Sequence, residues 1–579
     1  MNTYSNMKRT LAWLIFSVLA GILVGCADNG TGRCGDTADD SGKQCECLSR
    51  HPGPYGNDPY PGLHGNNGNN ERIDCDGPVI PPAKGWHALS GKIIFNPMTA
   101  GKDRLYAVVG TLSGCRLYAI DMKDGAVHCL TEKDPDILSF GVLGSSPEID
   151  GNGNVYVTDG WQDKPDGMVS FTPAGDLRWR TSFQGLRKQE PASYSPPLGL
   201  HFTQDGLAAT VTPDGMVILV DMADGKVKGH YSIMEQTGMR PIKAKEQDIP
   251  DKLPKYLECR LRGILGGDMS ASEMLAYLAG STGGTGAWSD NSLAVWDDLI
   301  FAVGGGMDRD GDGYAENGAM VAIRVDGTRE NPSMELAWYL ETNGATGSSP
   351  TVDPSGRFAV VTDTTDTGVA RIVAADIAKC NAAAAKGEQA CPAAWTYTLQ
   401  GQALYASISM DEDGVVYAWN QGKDPDPNHP MPDLVAVAPP DKEHAEAWMK
   451  WSVRFPGEAA ANWGSDDWSS TVLVLNNMVI GSVSHIKAIG GGSMGVAIPT
   501  DLKHELVGVR RSDGKILWRH VELDDGLINS PVMGSDGNIY CPSLGMLDIM
   551  KIPDTGVTSC DTYVEKDFQG GIFQYVKGE

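Results

Sequence analysis

The chain has 579 residues, of which 71 are glycine; 41% are hydrophobic, 21% are charged, and the formal balance is −27. The apolar share is enough for a large buried core and excludes wholesale disorder. A surface this acidic repels phosphate, which excludes nucleic-acid binding by backbone neutralisation and docking on anionic lipid through a basic patch.

In chain order, Lys8 and Arg9 precede an apolar run from Leu11 to Val24. A basic segment before a short apolar run is the layout of a secretory signal, too short to span a bilayer comfortably. Its ending, Leu23-Val24-Gly25-Cys26, resembles the bacterial lipobox. The resemblance implies a signal peptide over 1–25, cleavage before Cys26, and acylation of that cysteine, palmitate included. Two or more acyl chains hold a protein stably on a membrane. Ala27, rather than aspartate, follows the cysteine. That residue leans towards a lipid-anchored protein of the bacterial outer membrane.

Residues 26–84 are rich in cysteine, glycine and asparagine and read as a tether between membrane and body. Twelve cysteines suit an oxidising compartment. With Cys26 lipidated, eleven remain, so at least one lacks a partner within the chain. The pairing of Cys34, Cys45, Cys47, Cys75, Cys541 and Cys560 stays open. Cys259 has no obvious local mate and is the candidate odd thiol.

From residue 85 one phrase recurs: a serine-proline start, a few apolar residues, an Asp/Gly turn and an alternating strand. Ser145-Ser146-Pro147-Glu148-Ile149 with Gly153, Ser348-Ser349-Pro350-Thr351-Val352 with Gly356, and Ser530-Pro531-Val532 with Gly537 are examples. A second phrase follows, an Asp-x-x-x-Gly turn before a strand often carrying tryptophan, as in Asp121–Gly125 and Asp221–Gly225. Asp-Gly and Asn-Gly between alternating runs are hairpin signals, so each unit holds two hairpins. First-hairpin turns fall near Asp103, Gly153, Gly206, Asp298, Gly356, Gly414, Asn477 and Gly537. Four antiparallel strands repeated radially predict an all-β propeller over 85–565, with eight blades and seven as the alternative. The long third spacing holds an insertion, 232–285, in which Ser270-Ala271-Ser272-Glu273 is a helix-capping pattern. Residues 566–579 read as a C-terminal tail.

These serine-proline starts and tryptophan-bearing hairpins resemble the pyrroloquinoline-quinone-type (PQQ-like) propeller repeat. As an exported lipoprotein, the chain also resembles the propeller subunit of the bacterial outer-membrane barrel assembly machinery. The resemblance implies a ring serving either a scaffold or an enzyme. Dehydrogenases of this repeat class carry a vicinal disulfide against the quinone, and this sequence has no Cys-Cys pair, so a PQQ cofactor is not expected.

Other candidate sites are local. Asp308-Arg309-Asp310-Gly311-Asp312-Gly313-Tyr314-Ala315-Glu316 places oxygen donors as a calcium loop does, through Asp308, Asp310, Asp312, the Tyr314 carbonyl and Glu316. Ala319 stands where an EF-hand has its bidentate glutamate, so a structural calcium loop is expected. Trp288 with Asp290, and Asp466-Asp467-Trp468, are candidates for ligand binding at the channel mouth. Cys115 and Cys129 flank a hairpin, and Cys380 and Cys391 bracket an alanine-rich loop; both pairs are expected disulfides. The expected function is a membrane-anchored scaffold binding protein partners in the cell envelope, with no catalytic residues assigned. The alternative is a periplasmic PQQ-dependent dehydrogenase or ligand-binding propeller using the channel mouth.

Overall fold

The computed structural model describes residues 47–49, 54–56, 58–94, 96–111, 114–139, 142, 144–161, 163–191, 194–242, 259, 288–289, 291–344, 348–364, 369–402, 408–420, 434–455, 468–469, 471–489, 498–523, 530–543 and 570–578. Eight antiparallel sheets form the blades of a propeller; seven have four strands, and the seventh in chain order has a split inner strand. From blade 1 to blade 8 the innermost strands are Thr99–Ala100, Glu148–Ile149, Leu200–Phe202, Ala294–Trp296, Thr351–Val352, Ser409–Met410, Leu473–Val474 and Val532–Met533. In blade 7 the two-residue strand Trp468–Ser469 pairs beside Leu473–Val474. Each of the eight turns expected from the sequence joins the first two strands of one blade, so the eight-bladed reading holds.

Strand periodicity explains how blades stack. In blade 3, Leu207, Ala209, Val211, Val217 and Leu219 pack with Ile300, Ala302 and Val321 of blade 4. The alternate residues Ala208, Met216, Ile218 and Val220 pack with Tyr156, Met168 and Trp179 of blade 2. Successive side chains point to opposite faces, and both faces are buried between neighbours. The tryptophans of the outer strands secure this stacking. Trp179 of blade 2 lies over the turn at Gly225 of blade 3, its indole N–H donating to the Met222 carbonyl at 3.1 Å. Trp451 stands in the same relation to Gly514 and the Arg511 carbonyl, at 2.8 Å.

Closure differs from expectation at both ends of the chain. Gly571–Val576, expected within a tail, is the third strand of blade 8, and Ala83–Ala88 is its outermost strand. The last repeat lacks a fourth strand of its own, and the segment before the first repeat supplies it. Trp86 of that strand lies over Gly125 of blade 1 and donates to the Met122 carbonyl at 3.0 Å, joining the last blade to the first.

Two short helices are described. α1 (Ile233–Thr237) opens the insertion, with Ser232 as its cap. α2 (Ile377–Ala384), capped by Asp376, stands in blade 5 where other blades have an Asp-x-x-x-Gly turn. The capping pattern at Ser270–Glu273 lies outside the described residues. Among the described residues no helix is long and apolar enough to cross a membrane.

Candidate functional site

A strand at the inner edge of a blade leaves backbone N–H groups facing the axis, and buried groups of that kind need partners. Here the chain supplies them itself. Residues 58–76, assigned from composition to the tether 26–84, run inside the ring, and their carbonyls meet six of its blades in chain order. The N–H groups of Ala100, Ile149, Val295, Val352, Met410 and Val474 donate to the carbonyls of Tyr60, Pro61, Asn67, Gly68, Asn70 and Glu71, at 2.6–3.0 Å. Blade 3 joins through His201, whose Nε2 lies 2.8 Å from Asn69 Oδ1. Blade 8 joins through Met533, whose sulfur is 3.2 Å from Cys75 Sγ. For these residues a solvated spacer is not what the structure shows: Tyr60, His64, Asn69, Asn70 and Glu71 are all fully buried.

Local conformation lets so short a segment turn with the ring. His64, Gly65, Asn69 and Glu71 all have positive φ, between 58° and 75°. Gly62 passes directly over Glu148; a Cβ there would fall 1.8 Å from a carboxylate oxygen. Cys47 and Cys75 form a disulfide with a Cα separation of 5.0 Å, closing the segment on itself beside blade 8.

Two buried acid–histidine pairs lie in this core. Glu148 accepts from the Leu63 N–H at 2.7 Å and from the Tyr55 hydroxyl at 3.1 Å, with His201 Nδ1 at 3.5 Å. Glu71 accepts from the Tyr60 hydroxyl at 2.9 Å, and its other oxygen is 3.9 Å from His64 Nδ1. Burial disfavours charge on all four. It pushes the Glu71 carboxyl up to about 8 and Glu148 well above the usual range. It pulls His201 down to about 3 and His64 well below its ordinary value. Near neutral pH these four groups are therefore held uncharged.

Glu148 and His201 were missed in the sequence, although the repeat contains a signal. They occupy the register of Thr351 and Ser409, the residue before the one donating to the central segment. Those two hydroxyls donate to the next blade, at the Ile408 and Val472 carbonyls, at 3.3 and 2.6 Å. A glutamate and a histidine there are too long for that bond and reach the segment instead.

The sequence-predicted sites fare differently. Cys115–Cys129 and Cys380–Cys391 are disulfides, with Cα separations of 5.9 and 5.3 Å. Cys259 is disulfide-bonded, which overturns its reading as the odd thiol; among the described residues the free cysteine is the buried Cys541. Trp288 is a packing residue, buried against Gly215 and Gly304 between blades 3 and 4. Trp468 lies on the short split strand of blade 7. Asp290, Asp466, Asp467 and Cys26 lie outside the described residues.

The Asp308–Glu316 loop joins the second and third strands of blade 4. Asp308, Asp310 and Glu316 each offer a carboxylate oxygen within 4.8 Å of the others. The loop curls around these groups. Gly311 and Gly313 N–H donate to Asp308 at 2.7 and 3.1 Å, and Asp310 N–H donates to Glu316 at 3.1 Å. Asp312 accepts from the Tyr314 N–H at 2.9 Å. The donors are hard oxygens, the chemistry that suits calcium.

No protein-family model and no curated protein matches the chain. Among solved structures it is similar to the quinohemoprotein alcohol dehydrogenase from Comamonas testosteroni, at 11% identity and a TM-score of 0.46, covering 90% of this chain and 80% of that one. It is similar to a europium-containing methanol dehydrogenase at 11% identity and a TM-score of 0.45, covering 91% and 98%. BamB from Moraxella catarrhalis is similar at 10% identity and a TM-score of 0.40, covering 83% and 95%.

Proposed function

We propose that the chain is an exported lipoprotein, anchored at Cys26 in the bacterial cell envelope, whose propeller is a scaffold that binds another protein. The observation that supports this reading most is the filling of the ring's centre by residues 58–76. With its axis occupied by its own backbone, the ring keeps its loop faces and outer strands for recognition, the usual place for binding residues on a rigid frame. Disulfides at Cys47–Cys75, Cys115–Cys129 and Cys380–Cys391 suit the oxidising conditions outside the cytoplasm. Asp308, Asp310, Asp312, the Tyr314 carbonyl and Glu316 would hold a calcium ion that braces the blade 4 loop.

Two measurements on the full chain test the reading. Labelling with a fatty-acid analogue should mark the wild type and not Cys26→Ala, which should be released in soluble form; labelling of the variant would remove the anchor. Titration with free PQQ, followed by absorbance, should show no saturable binding. Stoichiometric uptake with dye-linked alcohol oxidation would replace the scaffold with a dehydrogenase.

A further inference from the structure

We propose that the centre of the ring is a binding site for a turning polypeptide segment, which the chain keeps filled with its own residues 58–76 and which a separate peptide of that sequence can occupy. The inference stands independently of the envelope role. Recognition is chiefly through the backbone: six inner-strand N–H groups, one from each of six blades, meet six carbonyls of the segment. Each blade gives one such bond, and the left-handed residues His64, Gly65, Asn69 and Glu71 let the segment turn from blade to blade, which ties recognition to its sequence. The ring adds anchors of its own. Glu148 receives the Leu63 N–H, and the carbonyls of Leu293 and Pro350 both accept from the Asn69 amide, at 2.9 Å each.

The segment behaves as a guest in two respects. All eight blades have at least four strands without it, so no sheet depends on it for a member. Its disulfide, Cys47–Cys75, ties the arm to itself and not to a blade. The connection onward to the strand Ala83–Ala88 passes through Val79 and Ile80, which are 64% and 46% exposed.

The test uses the full chain with a protease recognition sequence inserted between Val79 and Ile80 and cut after folding. The arm should co-elute with the nicked ring. A fluorescent synthetic peptide spanning residues 54–76 should then enter saturably, displaced by its unlabelled form and not by a scrambled peptide of equal composition. Glu148→Gln with His201→Ala should weaken that binding at least tenfold while the ring keeps its circular dichroism. Three results would overturn the proposal: loss of fold when the arm leaves, an empty folded ring that does not take the peptide, or an arm that never exchanges.

Discussion

Glu71 is fully buried with Tyr60 and His64 at the ring's centre, and the pH dependence of stability follows from its displaced pKa. In the folded chain its carboxyl titrates at about 8, against an ordinary value of 4.5. A raised carboxylate pKa means that the folded state holds its proton longer than the unfolded state does. Its contribution is complete below about 4.5 and is lost as pH rises towards 8. His201 acts in the opposite sense: folded at about 3 against 6.5, it favours the native state above 6.5 and loses that contribution as pH falls. Calorimetry from pH 5 to 8.5 should show the melting temperature falling above about 6.5. Glu71→Gln, neutral at every pH, should make that limb shallower, Glu148 supplying the rest; an unchanged limb would place the titration elsewhere. A second residue prediction concerns Gly225. It has φ of 74°, and a Cβ would lie 2.7 Å from the Trp179 ring. Gly225→Ala combines left-handed strain with overpacking, and chemical denaturation should show a loss of about 2–3 kcal/mol. A change below 0.5 kcal/mol would mean that the tryptophan is not seated on this turn.

Among elements, those set by local chemistry were readable and those set by distant contacts were not. Turns built on Asp, Asn or Gly, four of them Asp-Gly or Asn-Gly, fix hairpins within a few residues, so all eight first-hairpin turns fell where the sequence put them. Glycine and asparagine mark both a solvated spacer and a chain curling through left-handed conformations, and residues 64–71 are the second kind. Its partners, from Ala100 to Met533, are too far along the sequence for any local pattern to reveal. The same limit hid the fourth strand of blade 8. Two elements carry predictions. Closing the 28-residue separation between Cys47 and Cys75 should contribute about 3–4 kcal/mol by chain entropy. Cys47→Ser with Cys75→Ser should therefore lower the denaturation midpoint clearly, and an unmoved midpoint would show that the arm adds no stability. If calcium binds the Asp308–Glu316 loop, chelation should lower the melting temperature of the wild type. Asp308→Ala with Asp310→Ala should abolish most of that response, since a ligand at a hundredfold its Kd adds about 2.7 kcal/mol. Equal chelator shifts in both proteins would exclude the loop as the site.

At the scale of the whole molecule, one N-terminal stretch closes the ring twice. Residues 58–76 bind the inner edges of the blades, and Ala83–Ala88 completes the outer edge of blade 8 and docks Trp86 on blade 1. A ring held at both hub and rim gives its loop faces a rigid frame. Everything proposed for the centre depends on the segment lying there in solution. Hydrogen exchange of the intact chain, read by mass spectrometry, tests this directly. Peptides covering residues 60–75 should exchange as slowly as the second strands of the blades, such as Leu207–Val211, because their amides are buried in the ring. Complete exchange of 60–75 within seconds, with Leu207–Val211 still protected, would show a solvated tether and an open channel, and would contradict the account.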